Sequence, residues 1–278
     1  MLIPCHNEAI SIASTVQNVR SQLSDVEIWV IDNGSTDKTR EISENLGVQV
    51  LSCPTLGKGY AIRKAFSEIK GDYDVIFMVD GDDTYDLAGI TQAFNLIISG
   101  GYDMVIGRRV PIGIEESDSE SRTVHYRSGH QHGNKVLSKL FSTLFKIKIQ
   151  DSLSGWRCFS PGYVRSFSGG ASGFELETEL NAHLFLIRGS VTSIDVGYRG
   201  RLAGSHSKLN TISDGVKILR RLLFLFRTER PLLAYSILGA PWFILSVTLM
   251  RNVLDSYYKF REIPNFPEFV ITIQNISH

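Results

Sequence analysis

Cysteine is scarce and scattered. Cys5, Cys53 and Cys158 form no CxxC pair, which argues against a disulfide framework or structural zinc and fits a reducing, cytosolic setting. Charge of one sign is lacking too: 29 Lys and Arg balance 29 Asp and Glu. That balance argues against a general polyanion binder and implies no nucleic acid partner, although local basic patches remain open. The opening stretch, MLIPCHNEAI, turns polar too early for a signal peptide. No repeat of fixed period occurs, and the phosphate-cradling pattern GxxxxGKS/T is absent. His125, His130 and His132 have neither a fourth ligand nor helical spacing, so zinc is unsupported; GHQHGN reads as a loop entering a helix.

What is present is a globular composition. A chain of 278 residues with 43% hydrophobic content can bury a sizeable core, as one large α/β domain or two small ones. Apolar, β-branched runs alternate with helical patterns: LIP, Ala9–Leu23, VEIWVID, Thr36–Leu46, VQVLSC, Tyr60–Ile69 and YDVIFMVD. Continuous apolar strands separated by helices predict a Rossmann-like α/β fold, a largely parallel sheet flanked by helices. Such sheets bind ligands at the carboxyl ends of their strands. Asn7 and Glu8, Asp32 to Asp37, and Asp80 to Asp83 all fall there. Beyond YDMVIGRR, Pro111 to Ser128 reads as a polar loop around EESDSESR. A second block carries GNKVLSKLFSTLF, the turn QDSLSGWR, SGFELETELNAHLFL and the strand pattern SVTSIDVGYRGR.

The stretch FMVDGDDTYD gathers carboxylates at the end of an apolar run. Two carboxylates about 4 Å apart repel by roughly 4 kcal/mol at a protein surface, so a folded cluster calls for a cation. Asp80 and Asp82, two apart in a turn, suit Mg²⁺ or Mn²⁺ shared with phosphate oxygens; a solvated acidic turn is the plainer alternative. In VIDNGSTDKT, Ser35 or Thr36 is a candidate helix cap, while Asp32 could accept hydrogen bonds from a base or ribose. LGKGYA sets glycines around Lys58, leaving backbone free to approach a ligand while the ammonium meets phosphate, or forms a simple turn. Asp151, in DSLSGWR, is a further carboxylate able to act as a base. Trp156 reads as a packing residue ahead of a sugar platform. Glu175 and Glu177 alternate on FELETEL, and either could be structural.

From Pro231 to Met250, PLLAYSILGAPWFILSVTLM carries no charge and is bounded by Arg230 and Arg251. At 1.5 Å per residue such a helix spans about 30 Å, a bilayer core, so a transmembrane helix is expected; a buried helix, or one broken at Pro241, is the alternative. Lys217, Arg220, Arg221, Arg227 and Arg230 precede it, a basic run of the kind that marks the cytoplasmic side. The final VITIQNISH is too short to span.

Taken in order, IPCHNEA, VIDNGSTDKT, GKGYAIRKAF, VDGDDTYD, GRR, DSLSGWR, FELETEL and RLAGSHSK resemble the family 2 glycosyltransferases of GT-A fold, in the branch of dolichol-phosphate mannose synthase and related polyprenyl-phosphate glycosyltransferases. The resemblance runs through Lys208. It implies that Pro4, Asn7, Glu8, Asp32, Asn33, Lys58 and Gly81 hold the nucleotide sugar, a UDP- or GDP-sugar. It implies that Asp80, Asp82 and Thr84 hold the metal and diphosphate, and that Arg108, Arg201 and Lys208 meet phosphate. Arg127, Ser154, Arg157 and Glu175 fall on the acceptor side. The implied organisation is a nucleotide-sugar half (1–110), an acceptor half (111–208), basic juxtamembrane helices (209–230), a transmembrane helix (231–251) and a short remnant (252–278). The activity implied is inverting transfer to a polyprenyl phosphate, dolichyl or undecaprenyl, at the cytoplasmic membrane face. Transfer to a glycan hydroxyl and a non-catalytic nucleotide-sugar-binding role are the alternatives.

Overall fold

The computed structural model of this chain describes residues 1–69, 71–112, 122–123, 128–205 and 211–260. Two compact units are present, Met1–Leu222 and a second that begins at Leu223. In the first, β1 (Leu2–Cys5), β2 (Trp29–Asp32), β3 (Gln49–Ser52), β4 (Ile76–Met78), β5 (Met104–Pro111), β7 (Arg157–Phe159) and β8 (Val191–Tyr198) form one sheet. Its order is β3-β2-β1-β4-β7-β5-β8. Neighbours run parallel except around β7, which is antiparallel to both β4 and β5. A small antiparallel ribbon pairs β6 (Arg122–Thr123) with β9 (Arg201–Leu202). The mixed, mostly parallel sheet carries α1 (Ile12–Gln22), α2 (Thr39–Asn45), α3 (Lys58–Glu68), α4 (Ile90–Ile98), α5 (Ser128–Phe145), α6 (Pro161–Ser166) and α7 (Leu176–Ile187) in its connections.

β1, β2 and β4 are mostly apolar and mostly buried, as sheet strands flanked by helices are; β3, β5 and β8 carry polar residues as well. Ile3, Val30, Phe77, Val105 and Cys158, one from each of five strands, share a buried cluster with Ile12 and Val16 of α1. Trp156 belongs to that cluster, edge-on to Phe77 with ring centroids 6.3 Å apart. Packing is therefore its role.

Three element boundaries differ from the sequence reading for local reasons. Helix α1 starts at Ile12 rather than Ala9 because the preceding amides are tied elsewhere: Asn7 N to Ser35 Oγ, Glu8 N to Thr39 Oγ1 and Ala9 N to Asp37 Oδ2. Helix α2 starts at Thr39 rather than Thr36, since Thr36 N donates to Asn7 Oδ1 and Asp37 Oδ1 accepts from Thr39 N, so neither Ser35 nor Thr36 is the cap. The expected turn QDSLSGWR runs into β7, only three residues long and too short to show a strand period.

Helices α8 (Thr211–Glu229) and α9 (Pro231–Phe260) close the described chain. Pro231–Lys259 is long and apolar enough to cross a membrane, and it continues through Pro241 without a break. Leu232, Ile237, Leu238, Phe243 and Ile244 are exposed along it.

Candidate functional site

The carboxyl ends of β1, β2 and β4 open on one side of the sheet, and the loops that leave them interlock. Asn7 takes a left-handed φ of 54°, which a short polar side chain tolerates, and its Oδ1 accepts from Thr36 N at 2.8 Å. Asp32 Oδ1 accepts from Ser35 N at 3.0 Å. Asn33 reaches further: its Nδ2 donates to the carbonyls of Cys53 and Thr55, and its Oδ1 accepts from Gly57 N at 2.7 Å. That last bond fixes the loop ahead of Lys58. Gly57 sits at φ 133°, and a Cβ there would collide with the Ser172 carbonyl oxygen. Only glycine lets the two loops approach so closely.

These loops wall a cavity of about 320 Å³ lined by Pro4, Glu8, Asn33, Lys58, Asp80, Gly81, Asp82 and Arg201, all anticipated from sequence. The acidic centre is paired with cations of the protein's own. Lys58 Nζ donates to Asp80 Oδ1 at 2.6 Å and to Glu177 Oε1 at 2.6 Å. Arg201 NH2 lies 2.5 Å from Asp82 Oδ2, while Thr84 Oγ1 donates to Asp82 Oδ1 at 2.6 Å. Burial alone would raise the Asp80 carboxyl, but Lys58, with Arg201 and Arg109, holds it below the ordinary carboxylate range. Asp82 goes the other way: burial and the neighbouring Asp80 lift it despite Arg201. Burial would also lower the Lys58 ammonium, yet Asp80 and Glu177 together push it well up. Lys58 is a firmly charged cation.

Several anticipated residues lie elsewhere. Arg108 does not line the cavity; its side chain points outward, 45% exposed, and grips Asp195 through two 2.5 Å bonds. The next residue, Arg109, lines the cavity instead, because successive strand residues face opposite sides. Asp151 is buried and clamps Arg109 with two bonds of 2.8 Å, with Asn134 Nδ2 also at 2.8 Å. Burial would raise its carboxyl, but Arg109 keeps it below the ordinary value. Such a group is a poor proton acceptor; it orients Arg109. Arg157 is fully buried rather than open to an acceptor, with bonds to Asn181 Oδ1 and the carbonyls of Ser154 and Ser152. Ser154 is buried beside it, and Glu175 Oε1 accepts from the amides of Ser172 and Gly173, holding that loop. Arg127 and Lys208 lie outside the described residues.

Glu177, Tyr85, Tyr198 and Phe174 also line the cavity. In the sequence Glu177 is one of two alternating glutamates, and nothing there says which faces a cavity. Tyr85 and Tyr198 meet edge-on with centroids 5.1 Å apart, and the Arg109 guanidinium lies 5.5 Å from the Tyr198 ring centroid. That contact needs β8, far along the chain, so no local pattern announces it.

The residues fit a divalent ion. Among the described residues no group of three or more His, Cys, Asp and Glu could hold a metal by itself. Asp80 and Asp82 instead offer hard oxygens in a number that leaves positions for diphosphate. The Asp80 carboxylate packs directly on Gly155, where any Cβ would collide with it. A buried carboxylate oxygen, Glu177 Oε2, has no hydrogen-bond partner among the described residues.

The strand order with its single antiparallel insertion, and the acidic pair at the end of β4, define a GT-A architecture. The fold is shared with glucosyl-3-phosphoglycerate synthase of Mycobacterium tuberculosis, solved in complex with Mn²⁺, UDP-glucose and phosphoglyceric acid: TM-score 0.61, 20% identity, covering 81% of this chain and 78% of that one. Residues 1–160 match the family described as Glycosyl transferase family 2. A Haloferax volcanii protein named Glycosyltransferase AglJ is 30% identical over 240 residues, 86% of this chain and 75% of its own length. The same organism's Dolichyl-phosphate hexose transferase is 26% identical over 231 residues, 81% of this chain and 92% of its own. The chain belongs to glycosyl transferase family 2.

Proposed function

We propose that this protein transfers a sugar from a nucleotide diphosphate sugar to a polyprenyl phosphate at a membrane surface, with the catalytic unit facing the cytoplasm. The observation that carries the reading is the cavity in which Asp80 and Asp82 meet Lys58, Arg109 and Arg201. Clustered cations facing an acidic pair suit a diphosphate that arrives with a divalent ion. Asp80 and Asp82, with the Thr84 hydroxyl, would hold Mg²⁺ or Mn²⁺, which when bound neutralises charge on the leaving diphosphate. Arg109 and Arg201 stabilise that charge from fixed positions, Arg109 aimed by Asp151 and Arg201 by Asp82. Asn33 and the glycines around Lys58 shape the nucleotide side.

A phosphate acceptor brings its own nucleophilic oxyanion. No general base is then required, consistent with Asp151 being held ionised by Arg109. The name of the Haloferax relative, a dolichyl-phosphate hexose transferase, supports the same acceptor class. So does α9, whose exposed apolar residues suit a bilayer, while the basic run before it suits the cytoplasmic side. Arg127 and Lys208 remain proposed contacts of the acceptor and donor phosphates.

The test supplies purified protein with Mn²⁺, radiolabelled UDP- or GDP-sugars and either undecaprenyl phosphate or a soluble oligosaccharide, then extracts with organic solvent. Label in the organic phase, lost with EDTA and in Asp82→Ala, is expected. Label confined to the oligosaccharide overturns the acceptor assignment and supports hydroxyl transfer; donor bound without turnover supports the non-catalytic role.

A further inference from the structure

The cation already seated on Asp80 is divided between two carboxylates. Lys58 Nζ is 2.6 Å from Asp80 Oδ1 and 2.6 Å from Glu177 Oε1. Those carboxylates are not equivalent. The Asp80 side chain is 29% exposed, whereas the Glu177 side chain is 3% exposed, and its second oxygen, Oε2, is buried without a hydrogen-bond partner among the described residues. A buried carboxylate cannot release its cation without heavy desolvation cost; a partly exposed one facing a cavity can exchange it.

The backbone beneath Lys58 is immobilised. Gly57 N donates to Asn33 Oδ1 at 2.7 Å and Gly59 N to Ser172 O at 3.1 Å, so the residues on either side are pinned. Any movement of the ammonium belongs to its flexible four-carbon stem. A divalent ion arriving at Asp80 meets this ammonium as a like charge competing for the same carboxylate.

Resting on the nucleotide-sugar reading above, we propose that Lys58 is an exchangeable internal counter-ion: a divalent cation displaces it from Asp80, and Glu177 retains it through the oxygen that is otherwise unpartnered. Glu177 is thus a positioning residue that acts through Lys58. In the displaced position the ammonium has lost one anionic partner and gains another when diphosphate enters. Metal and nucleotide therefore strengthen each other's binding, and the metal alone binds weakly. The exchange couples the two ligands through a side chain alone.

The test measures Mn²⁺ binding by the protein in detergent, from the electron paramagnetic resonance signal of free Mn²⁺, alone and with UDP or GDP, each corrected for the Mn²⁺ that the same nucleotide binds in protein-free solution. Wild type should bind Mn²⁺ at least ~10-fold more tightly when a nucleoside diphosphate is present, and Lys58→Met should bind Mn²⁺ alone at least ~10-fold more tightly than wild type, with a smaller gain from nucleotide than wild type shows. Glu177→Gln should weaken Mn²⁺ binding by ~3-fold or more, and by less than ~2-fold when Lys58→Met is also present, because its effect passes through the ammonium. A simple sum of charges gives the same Glu177→Gln effect in both backgrounds, so additivity overturns the proposal. Lys58→Gln, which keeps a donor for Glu177, carries the same expectation as Lys58→Met if that variant does not fold. Absence of mutual strengthening in wild type also overturns it. Failure to bind Mn²⁺ with either nucleotide defeats the nucleotide-sugar reading itself; Mn²⁺ binding that Lys58 substitutions leave unchanged defeats only the exchange.

Discussion

Arg108 and Arg109 are adjacent, alike in chemistry and opposite in placement. The motif GRR identifies a basic pair at the end of a strand, but which arginine turns toward the cavity depends on the register of β5 against β8, where Arg108 faces Asp195 and Arg109 faces Val196. That register is a tertiary fact. The same holds for FELETEL: Glu175 secures a loop, Glu177 enters the cavity, and Glu179 accepts from Ala171 N and pairs with Arg221. By contrast Glu8, Asn33, Asp80 and Asp82 are legible because each follows an apolar strand whose end faces the crevice, Lys58 because glycines flank it, and Pro4 through the family resemblance alone. Arg109→Ala should weaken nucleoside diphosphate binding by about 10- to 100-fold, the value of a charge-assisted bond. Arg108→Ala should change it by less than about threefold, since its partner is an exposed surface carboxylate. Calorimetric titration of UDP and GDP in the presence of Mn²⁺ checks both.

At the scale of elements, the alternation of strands and helices is legible in the hydrophobic runs, whereas β7 is not. Three residues carry too little period to declare a strand, yet β7 joins the N-terminal strands to β5 and β8. Its first residue, Arg157, explains why so short a segment holds: the guanidinium fills a buried site and donates to Asn181 and two carbonyls. Burial pulls its affinity for protons down, although Glu177 and other groups oppose that. Arg157→Ala leaves a cavity and unsatisfied acceptors, and should cost about 3 kcal/mol or more in denaturant unfolding. The segment before β7 makes a separate prediction. Asp151 has a carboxyl held below its unfolded value of 3.8, so its pairing with Arg109 stabilises the fold above that pH and is lost as pH falls through the lower folded value. Asp151→Asn should therefore be less stable than wild type at neutral pH, and the gap should narrow in urea titrations as pH falls below 3.8.

At the scale of the whole molecule, the sequence showed a hydrophobic segment of bilayer length, and α9 is one continuous helix whose apolar residues are largely exposed. Pro241 does not end it, since neighbouring turns continue the helix on both sides. Full-length protein should stay in the membrane pellet after carbonate washing, and a chain ending at Arg230 should be released more readily; equal release would mean that α9 is not an anchor. In the proposed function an anchor would keep the protein at the membrane that holds its acceptor, and the acidic centre would take the diphosphate end of the donor. The most direct test of the central claim is to identify both products by mass spectrometry after incubating full-length protein with Mn²⁺, nucleotide sugar and polyprenyl phosphate in vesicles. The account predicts a polyprenyl monophosphate carrying one sugar, formed in equal amount with nucleoside diphosphate. A polyprenyl diphosphate sugar released with nucleoside monophosphate, or nucleoside diphosphate formed with no lipid product, would contradict it.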